Sequence, residues 1–218
     1  MEAYVVISEQ VSYIYNEVFL TSLKKVEPEI NINEVKINFD GTGGIFTKGW
    51  YDAGWEKIKT IERVTRSLDN KIVAFFDADI IFLKPFSAKV YELMKNKDLL
   101  MQQDYEFEKK ANIGVMFFRC NKKINDYINF LLKKRTEPNS WEEQIIRETI
   151  NESGLSFDLL PRTFSNGTNK GLNKESYLYH ANGIGNNFFG TSVERKYKKL
   201  IKMYKKYYLK RSIFGFNK

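Results

Sequence analysis

Short apolar runs alternate along this chain with longer segments in which apolar residues recur at helical spacing. The run at residues 72–76 (IVAFF) is continuously apolar, as expected of a strand buried on both faces of a parallel sheet. Strands that alternate with helices indicate βαβ units, so we predict one α/β domain with a mostly parallel central sheet flanked by helices. Strands are predicted at 3–8, 34–40, 71–76, 98–104, 112–119 and 156–160, and helices at 11–25, 122–134 and 141–152, with another ending near residue 69.

The formal charge of +8 is concentrated at the C-terminal end of the chain. Residues 195–218 contain ten Lys or Arg and no acid, so residues 1–194 keep 25 basic against 27 acidic residues, a net charge of −2. We therefore predict a body at 1–194 and a basic helical tail at 195–218, and we expect no nucleic-acid partner. The sequence leaves two roles for the tail: packing on the body, and peripheral contact with an anionic membrane.

Several classes of protein are excluded by simple counts. No apolar run approaches the roughly 18 residues of a membrane span, and no basic, apolar leader opens the chain. Cys120 is the single cysteine, which excludes a disulfide scaffold and a thiolate zinc site. We expect a cytoplasmic protein.

Two carboxylates directly follow the most apolar predicted strand. Asp77 and Asp79 point the same way if the backbone is extended, because side chains alternate with period 2. Such a pair is costly unless a cation neutralises it, and hard divalent ions such as Mg²⁺ or Mn²⁺ prefer oxygen ligands. Ala78 between them leaves the backbone approachable. A metal–phosphate site is one interpretation, and a solvated acidic turn is the other.

The segment FFDADIIFLKPF at 75–86 resembles the D-x-D motif of GT-A glycosyltransferases, which use nucleotide-diphosphate sugars. Three more segments follow in the order of the retaining, glycogenin-like branch. NIGVMFF at 112–118 is similar to its N-x-G strand, WEEQ at 141–144 to its acid-Gln helix start, and HANG at 180–183 to its H-x-x-G segment. The resemblance covers residues 3–190 and implies a GT-A (Rossmann-like) fold. The short body and the Lys/Asn-rich context of FFDADIIFLKPF also resemble glycosyltransferase domains that large DNA viruses use on their capsid proteins.

The resemblance assigns roles to individual residues. Each role also has a purely structural alternative. These alternatives are a solvated lysine, a histidine whose hydrogen bonds are made within the core, an asparagine that ends a strand, and residues that cap a helix. Gly114 suits close approach of a sugar to the backbone. The metal (Mn²⁺ or Mg²⁺) is expected at Asp77, Asp79 and His180; the nucleotide sugar at Ile7, Ser8, Lys57, Asp77, Ala78, Asn112 and Gly183; and the reacting sugar near Glu143 and Gln144.

The family places a lysine against the diphosphate where this chain has Asn186. A lysine of the tail or Lys57 then supplies that charge, or the diphosphate is bound more weakly. An inverting enzyme would need a carboxylate base beside the acceptor, and Asp104, Glu142 and Asp158 are candidates of which none stands out. With the resemblance, this favours retention.

The sequence therefore predicts a metal-dependent glycosyltransferase. It would move a sugar from a UDP-sugar, favoured over a GDP-sugar, to a glycan or protein-linked acceptor. A sugar-1-phosphate nucleotidyltransferase is an alternative, although Glu9 and Gln10 stand where those enzymes have a Gly-rich basic loop. The other alternative is a non-catalytic module whose tail binds anionic membrane or nucleic acid, and whose binding would not need a divalent cation.

Overall fold

The computed structural model describes residues 1–38, 47–104, 110–137, 140–166, 175–184 and 191–209. No helix within these ranges is long and apolar enough to cross a bilayer. The strands are β1 (Glu2–Ile7), β2 (Asn31–Lys36), β3 (Ile72–Phe76), β4 (Ile80–Phe82), β5 (Leu99–Gln103), β6 (Ala111–Arg119), β7 (Phe157–Leu159), β8 (Ser165–Asn166) and β9 (Leu178–His180). The α-helices are α1 (Ser12–Ile14), α2 (Thr21–Val26), α3 (Lys48–Ser67), α4 (Ser87–Leu93), α5 (Lys122–Lys134), α6 (Glu142–Thr149) and α7 (Ser192–Tyr204).

The main sheet has six strands in the order β2-β1-β3-β6-β5-β7. β1 is parallel to both β2 and β3, and β5 is parallel to β7, whereas β6 is antiparallel to both of its neighbours. The direction of β6 follows from its connection, because residues 104–110 are too few for the crossover that a parallel pair requires. The predicted fold class is confirmed: a mostly parallel sheet flanked by helices.

A second, three-stranded sheet, in the order β4-β9-β8, stands beyond the carboxyl end of β3. β4 and β9 pair antiparallel, with Ile80 opposite His180. The amide of Ala181 donates to the carbonyl of Asp79 at 3.0 Å, which continues the pairing past the ends of both strands. This pairing brings His180 beside the carboxylates that follow β3, although about 100 residues of chain separate them.

Two local predictions were wrong. β2 begins at Asn31, three residues before the predicted start at 34, and ends at Lys36, while residues 39 and 40 lie outside the described ranges. Ser140 and Glu143 have the spacing of a capping box, which predicts Ser140 as the N-cap, but α6 has Trp141 as its N-cap with no side-chain cap. Glu143 instead accepts a hydrogen bond from the amide of Ile113, at 3.1 Å, in β6.

A group of fully buried phenylalanines holds the two sheets together. Phe76 at the end of β3 lies edge-on to Phe82 of β4 and to Phe117 of β6, with ring centroids 5.1 and 5.7 Å apart. Phe86 stacks on Phe82 at 5.5 Å and extends the group toward α4. This dense apolar packing on both sides of residues 77–79 sets the position of their backbone.

Helix α7 begins before the predicted boundary at 194 and continues beyond it. Its Leu200 and Met203 are buried in one cluster with Ile81 of β4 and Tyr179 of β9. Farther along, the hydroxyl of Tyr207 donates to the carbonyl of Leu83 at 2.8 Å. The helix therefore covers the second sheet. The division of the chain into a body at 1–194 and a tail at 195–218 stays a prediction.

This packing predicts that Leu200→Ala destabilises the whole domain. Truncating a fully buried leucine removes apolar contacts and leaves a cavity, so the free energy of unfolding should fall by about 3 kcal/mol. Urea denaturation should show one cooperative transition at lower urea. Lys198→Ala, on the exposed face of the same helix, is the matched control and should change stability by less than about 0.5 kcal/mol. An unchanged midpoint for Leu200→Ala would show that the body is stable independently of this helix.

Candidate active site

A cleft of about 620 Å³ opens where β3 ends, bounded by β6, α3, α6, the end of β9 and the start of α7. This location fits the rule that ligands of open α/β sheets bind beyond the carboxyl ends of the strands. The structure brings together most of the residues predicted from sequence. Those lining the cleft are Ser8, Lys57, Asp77, Ala78, Asp79, Asp104, Asn112, Glu143, His180 and Gly183.

Asp77, Asp79 and His180 form a potential metal site. One ligand atom from each lies within 4.8 Å of the others. His180 Nε2 lies 3.2 Å from Asp79 Oδ1 and 3.6 Å from Asp77 Oδ2. Asp79 Oδ2 is buried and lies 2.7 Å from the ammonium group of Lys196. Two carboxylates and one imidazole suit Mn²⁺ or Mg²⁺, so these residues fit a divalent cation.

Gly114 is required by the packing of this site. A Cβ atom at position 114 would lie 2.1 Å from Cε1 of His180 and 2.8 Å from Oδ2 of Asp77. The carbonyl of Gly114 also accepts a hydrogen bond from the amide of Asp77 at 2.8 Å. The sequence analysis related this glycine to a sugar, whereas its contacts in the structure are with the carboxylate and the imidazole.

Gln102 orients the histidine. Its side-chain oxygen lies 2.8 Å from Nδ1 of His180, and the glutamine is fully buried at the end of β5. Because an amide oxygen accepts hydrogen bonds, this contact holds a proton on Nδ1 and turns Nε2 toward Asp77 and Asp79. Sequence reasoning missed Gln102, since a polar residue at the end of a strand is no signal by itself.

Two lysines neutralise the carboxylates. Burial disfavours ionisation of Asp79, but the charges of Lys196 and His180 and their hydrogen bonds hold its pKa well below the usual range. For Lys57, burial opposes the charge, yet the charge and hydrogen bond of Asp77 raise its pKa above the ordinary value. Lys57 Nζ lies 2.6 Å from Asp77 Oδ1. Lys196 of α7 is not identifiable from local sequence, because it is one of many tail lysines.

Arg147 binds two of the predicted acids. Its guanidinium lies 2.6 Å from Asp104 Oδ2 and 2.6 Å from Glu143 Oε1, and its Nε donates to the carbonyl of Ala111 at 2.7 Å. These contacts hold the start of α6 against β5 and β6. Asp104 and Glu143 therefore line the cleft as members of an ion-paired group.

Glu142 differs from its neighbour. It lines the cleft and is 6% exposed, and its Oε2 has no hydrogen-bond partner in the described residues. Burial raises its pKa to about 7, although the nearby charge of Lys57 acts in the opposite direction. Its carboxylate lies against α3, where a Cβ at position 54 would lie 2.2 Å from Oε1, so Gly54 makes room for it.

Two predicted site residues, Gln144 and Ile7, do not line the cleft with their side chains, and the position at which the family has a lysine lies outside the described residues. Gln144 is on the exposed side of α6, where its amide donates to Glu148 at 2.8 Å. The side chain of Ile7 is buried in the core, and its carbonyl accepts a hydrogen bond from the amide of Ile37 at 2.9 Å. Asn186 lies outside the described residues.

The orienting contact predicts that Gln102→Leu weakens metal binding. Loss of the acceptor leaves Nδ1 of His180 without its partner and frees the ring, so Mn²⁺ affinity should fall by about 10- to 100-fold. Isothermal titration calorimetry with Mn²⁺ measures this. Gln103→Leu is the matched control, because the adjacent side chain points to the other side of β5 and should leave the affinity unchanged. Equal affinities for the two variants would contradict the orienting role.

The environment of Glu142 predicts a pH-dependent effect of Glu142→Gln on stability. The pKa of Glu142 is about 7 in the folded protein against 4.5 for the free side chain. The wild type therefore loses stability as pH rises from about 4.5 to about 7, because the unfolded chain releases this proton first. In EDTA, the variant should match the wild type near pH 4 and exceed it by up to about 3 kcal/mol at pH 8. Urea denaturation across this range measures the difference, and a difference that does not change with pH would contradict it.

Three solved structures with a similar fold are glycosyltransferases. A glycosyltransferase involved in glycosylating the major capsid of PBCV-1 superposes with a TM-score of 0.63 at 11% identity, covering 92% of this chain and 98% of that one. The galactosyltransferase LgtC gives 0.55 at 9% identity, covering 93% and 96%, and mouse xyloside xylosyltransferase 1 gives 0.54 at 8% identity, covering 86% and 100%. At these identities the likeness shows the fold.

Sequence similarity provides the family. No curated protein matches the chain in sequence. Residues 16–200, most of the chain, match the model of the family described as nucleotide-diphospho-sugar transferase. The predicted family is thereby confirmed: this chain belongs to the nucleotide-diphospho-sugar transferases and is a glycosyltransferase with the GT-A fold.

Proposed function

We propose that this protein transfers a sugar from a nucleotide-diphosphate sugar, with UDP as the favoured nucleotide, in a reaction that depends on a divalent cation. The observation that carries the proposal is the group formed by Asp77, Asp79 and His180 at the floor of the cleft. A nucleotidyltransferase and a non-catalytic binding module are disfavoured, because the family match covers residues 16–200.

In this proposal Asp77, Asp79 and His180 hold Mn²⁺ or Mg²⁺. The ion would stabilise negative charge on the departing diphosphate by Lewis-acid and electrostatic interaction. The chain itself keeps these ligands in place: Lys57 holds one oxygen of Asp77, and Gln102 orients the imidazole. Little covalent chemistry is required of the protein.

The nucleotide is proposed to lie at the ends of β1 and β2. Ser8, Val11 and Ile37 line this part of the cleft and combine an apolar surface with backbone polar groups. Ile7 would contribute main-chain groups, since its side chain is buried in the core. Ala78 and Gly183, which line the cleft near the metal ligands, leave room for ribose and diphosphate.

Retention is proposed for the transfer. Asp104 is paired with Arg147, and Asp158 is exposed on β7, so neither supports the role of a base beside the acceptor. Glu142 has an oxygen without a partner, and we propose that it and Asn112 hold hydroxyls of the donor sugar. The exposed position of Gln144 favours Glu142 and Glu143 for contact with the sugar. An inverted product, detected by NMR of its anomeric proton, would instead assign Glu142 as the base.

The acceptor is proposed to be a glycan or a protein-linked sugar. One structural neighbour acts in glycosylation of a capsid protein, and another was solved with sugar analogues as donor and acceptor. The exposed lysines of α7, such as Lys198 and Lys202, would allow peripheral contact with an anionic membrane.

Calorimetric titration of UDP and GDP, with Mn²⁺ and with EDTA, tests the donor site. We expect the wild type to bind UDP when Mn²⁺ is present and not in EDTA. Asp79→Asn should weaken UDP binding in Mn²⁺ by at least about 100-fold, because it removes a charged metal ligand. Asp158→Asn is the matched control, since this exposed aspartate lies on β7 away from the metal ligands. UDP binding by the wild type justifies screening UDP-sugars for hydrolysis.

No nucleotide binding under any of these conditions would overturn the proposed function. Equal binding with Mn²⁺ and EDTA would contradict the role of the cation, and stronger binding of GDP would contradict the proposed nucleotide.

A further inference from the structure

A lysine of the basic C-terminal helix contacts the candidate metal site. Nζ of Lys196, on the second turn of α7, lies 2.7 Å from Oδ2 of Asp79. The other oxygen of the same carboxylate faces His180, at 3.2 Å. Asp79 thus has the imidazole on one side and an ammonium group on the other.

Lys196 differs from the other lysine of the site in its freedom to move. Lys57 is buried and has two acceptors, Asp77 Oδ1 at 2.6 Å and the carbonyl of Ile113 at 3.4 Å. The side chain of Lys196 is 23% exposed and reaches Asp79 from the helix that forms one wall of the cleft. Its ammonium group can therefore move while its helix stays packed.

The ammonium of Lys196 and a divalent cation would share one carboxylate. A cation held by Asp77, Asp79 and His180 would lie a few ångströms from the ammonium, and like charges at that distance repel strongly inside a protein. A diphosphate bound beside the cation reverses this effect, because its negative charge attracts both. Lys196 would thus oppose the metal when it is alone and favour the metal together with a diphosphate.

We propose that Lys196 couples binding of the divalent cation to binding of the nucleotide diphosphate. This inference rests on the proposed function, because it takes the diphosphate of the donor as the anion. In the nucleotide-free protein, Lys196 acts as the internal counter-ion of Asp79 and keeps metal affinity low. When the nucleotide is present, the same ammonium group contacts its phosphate oxygens. Since such coupling is reciprocal, the metal raises nucleotide affinity by the same factor.

The test is a thermodynamic cycle on wild type, Lys196→Met and Lys198→Met. Calorimetry measures Mn²⁺ affinity without nucleotide and with saturating UDP. Methionine keeps the length and apolar stem of lysine but has no charge, and the exposed Lys198 provides a matched control on the same helix. Thermal unfolding of each variant checks that α7 stays packed.

For Lys196→Met, we expect Mn²⁺ binding without nucleotide to become about tenfold tighter and Mn²⁺ binding with UDP to become about tenfold weaker. Lys198→Met should match the wild type in both arms, and Lys196→Arg should restore most of the coupling because it restores the charge. A merely structural role for Lys196 would not make Mn²⁺ binding tighter without UDP and weaker with UDP, so opposite changes support the coupling.

If Lys196→Met weakens Mn²⁺ binding equally with and without UDP, or changes neither, the proposed role of Lys196 is overturned. UDP binding by the wild type would still uphold the proposed function in that case. A wild type that binds Mn²⁺ but no UDP would overturn the proposed function and the coupling together. The Mn²⁺ arm without nucleotide would then still show whether Lys196 competes with the cation.

Discussion

The negative charge that follows β3 must be balanced inside the protein. Asp79 is buried and Asp77 is half-buried, and an uncompensated charge in such a place would cost several kcal/mol. Lys57 of α3, His180 of β9 and Lys196 of α7 lie within 4 Å of the two carboxylates. Three elements far apart in the chain therefore meet at one point, and the same arrangement provides ligands for a cation.

A second group of charges in the cleft is organised differently. Arg147 binds Asp104 and Glu143, and Glu143 also accepts the amide of Ile113, so these groups join α6 to β5 and β6. Glu142 stays outside this arrangement, with an oxygen that has no partner among the described residues. In the proposed function, the first group would hold the cation beside the phosphates and this second group would face the sugar hydroxyls of a nucleotide-diphospho-sugar.

The sequence predicts those parts of the fold that depend on local pattern. The apolar run before Asp77 is β3, and the strands predicted at 98–104 and 112–119 are β5 and β6. The sequence did not predict which side chains of α6 face the cleft, because the motif WEEQ does not show at which residue the helix begins. α6 begins at Glu142, so Glu142 and Glu143 face the cleft and Gln144 faces away.

By itself, the sequence determined the six strands of the main sheet, the pair of acids after a buried strand and the family, since each is written in contiguous residues. The tertiary structure decided which distant groups meet those acids. Gln102 reaches His180 across 78 residues of chain, and Lys196 reaches Asp79 from a helix whose other lysines are exposed or half-exposed. Such contacts depend on how β5, β9 and α7 pack around β3, and packing between distant elements leaves no periodic signal in the sequence.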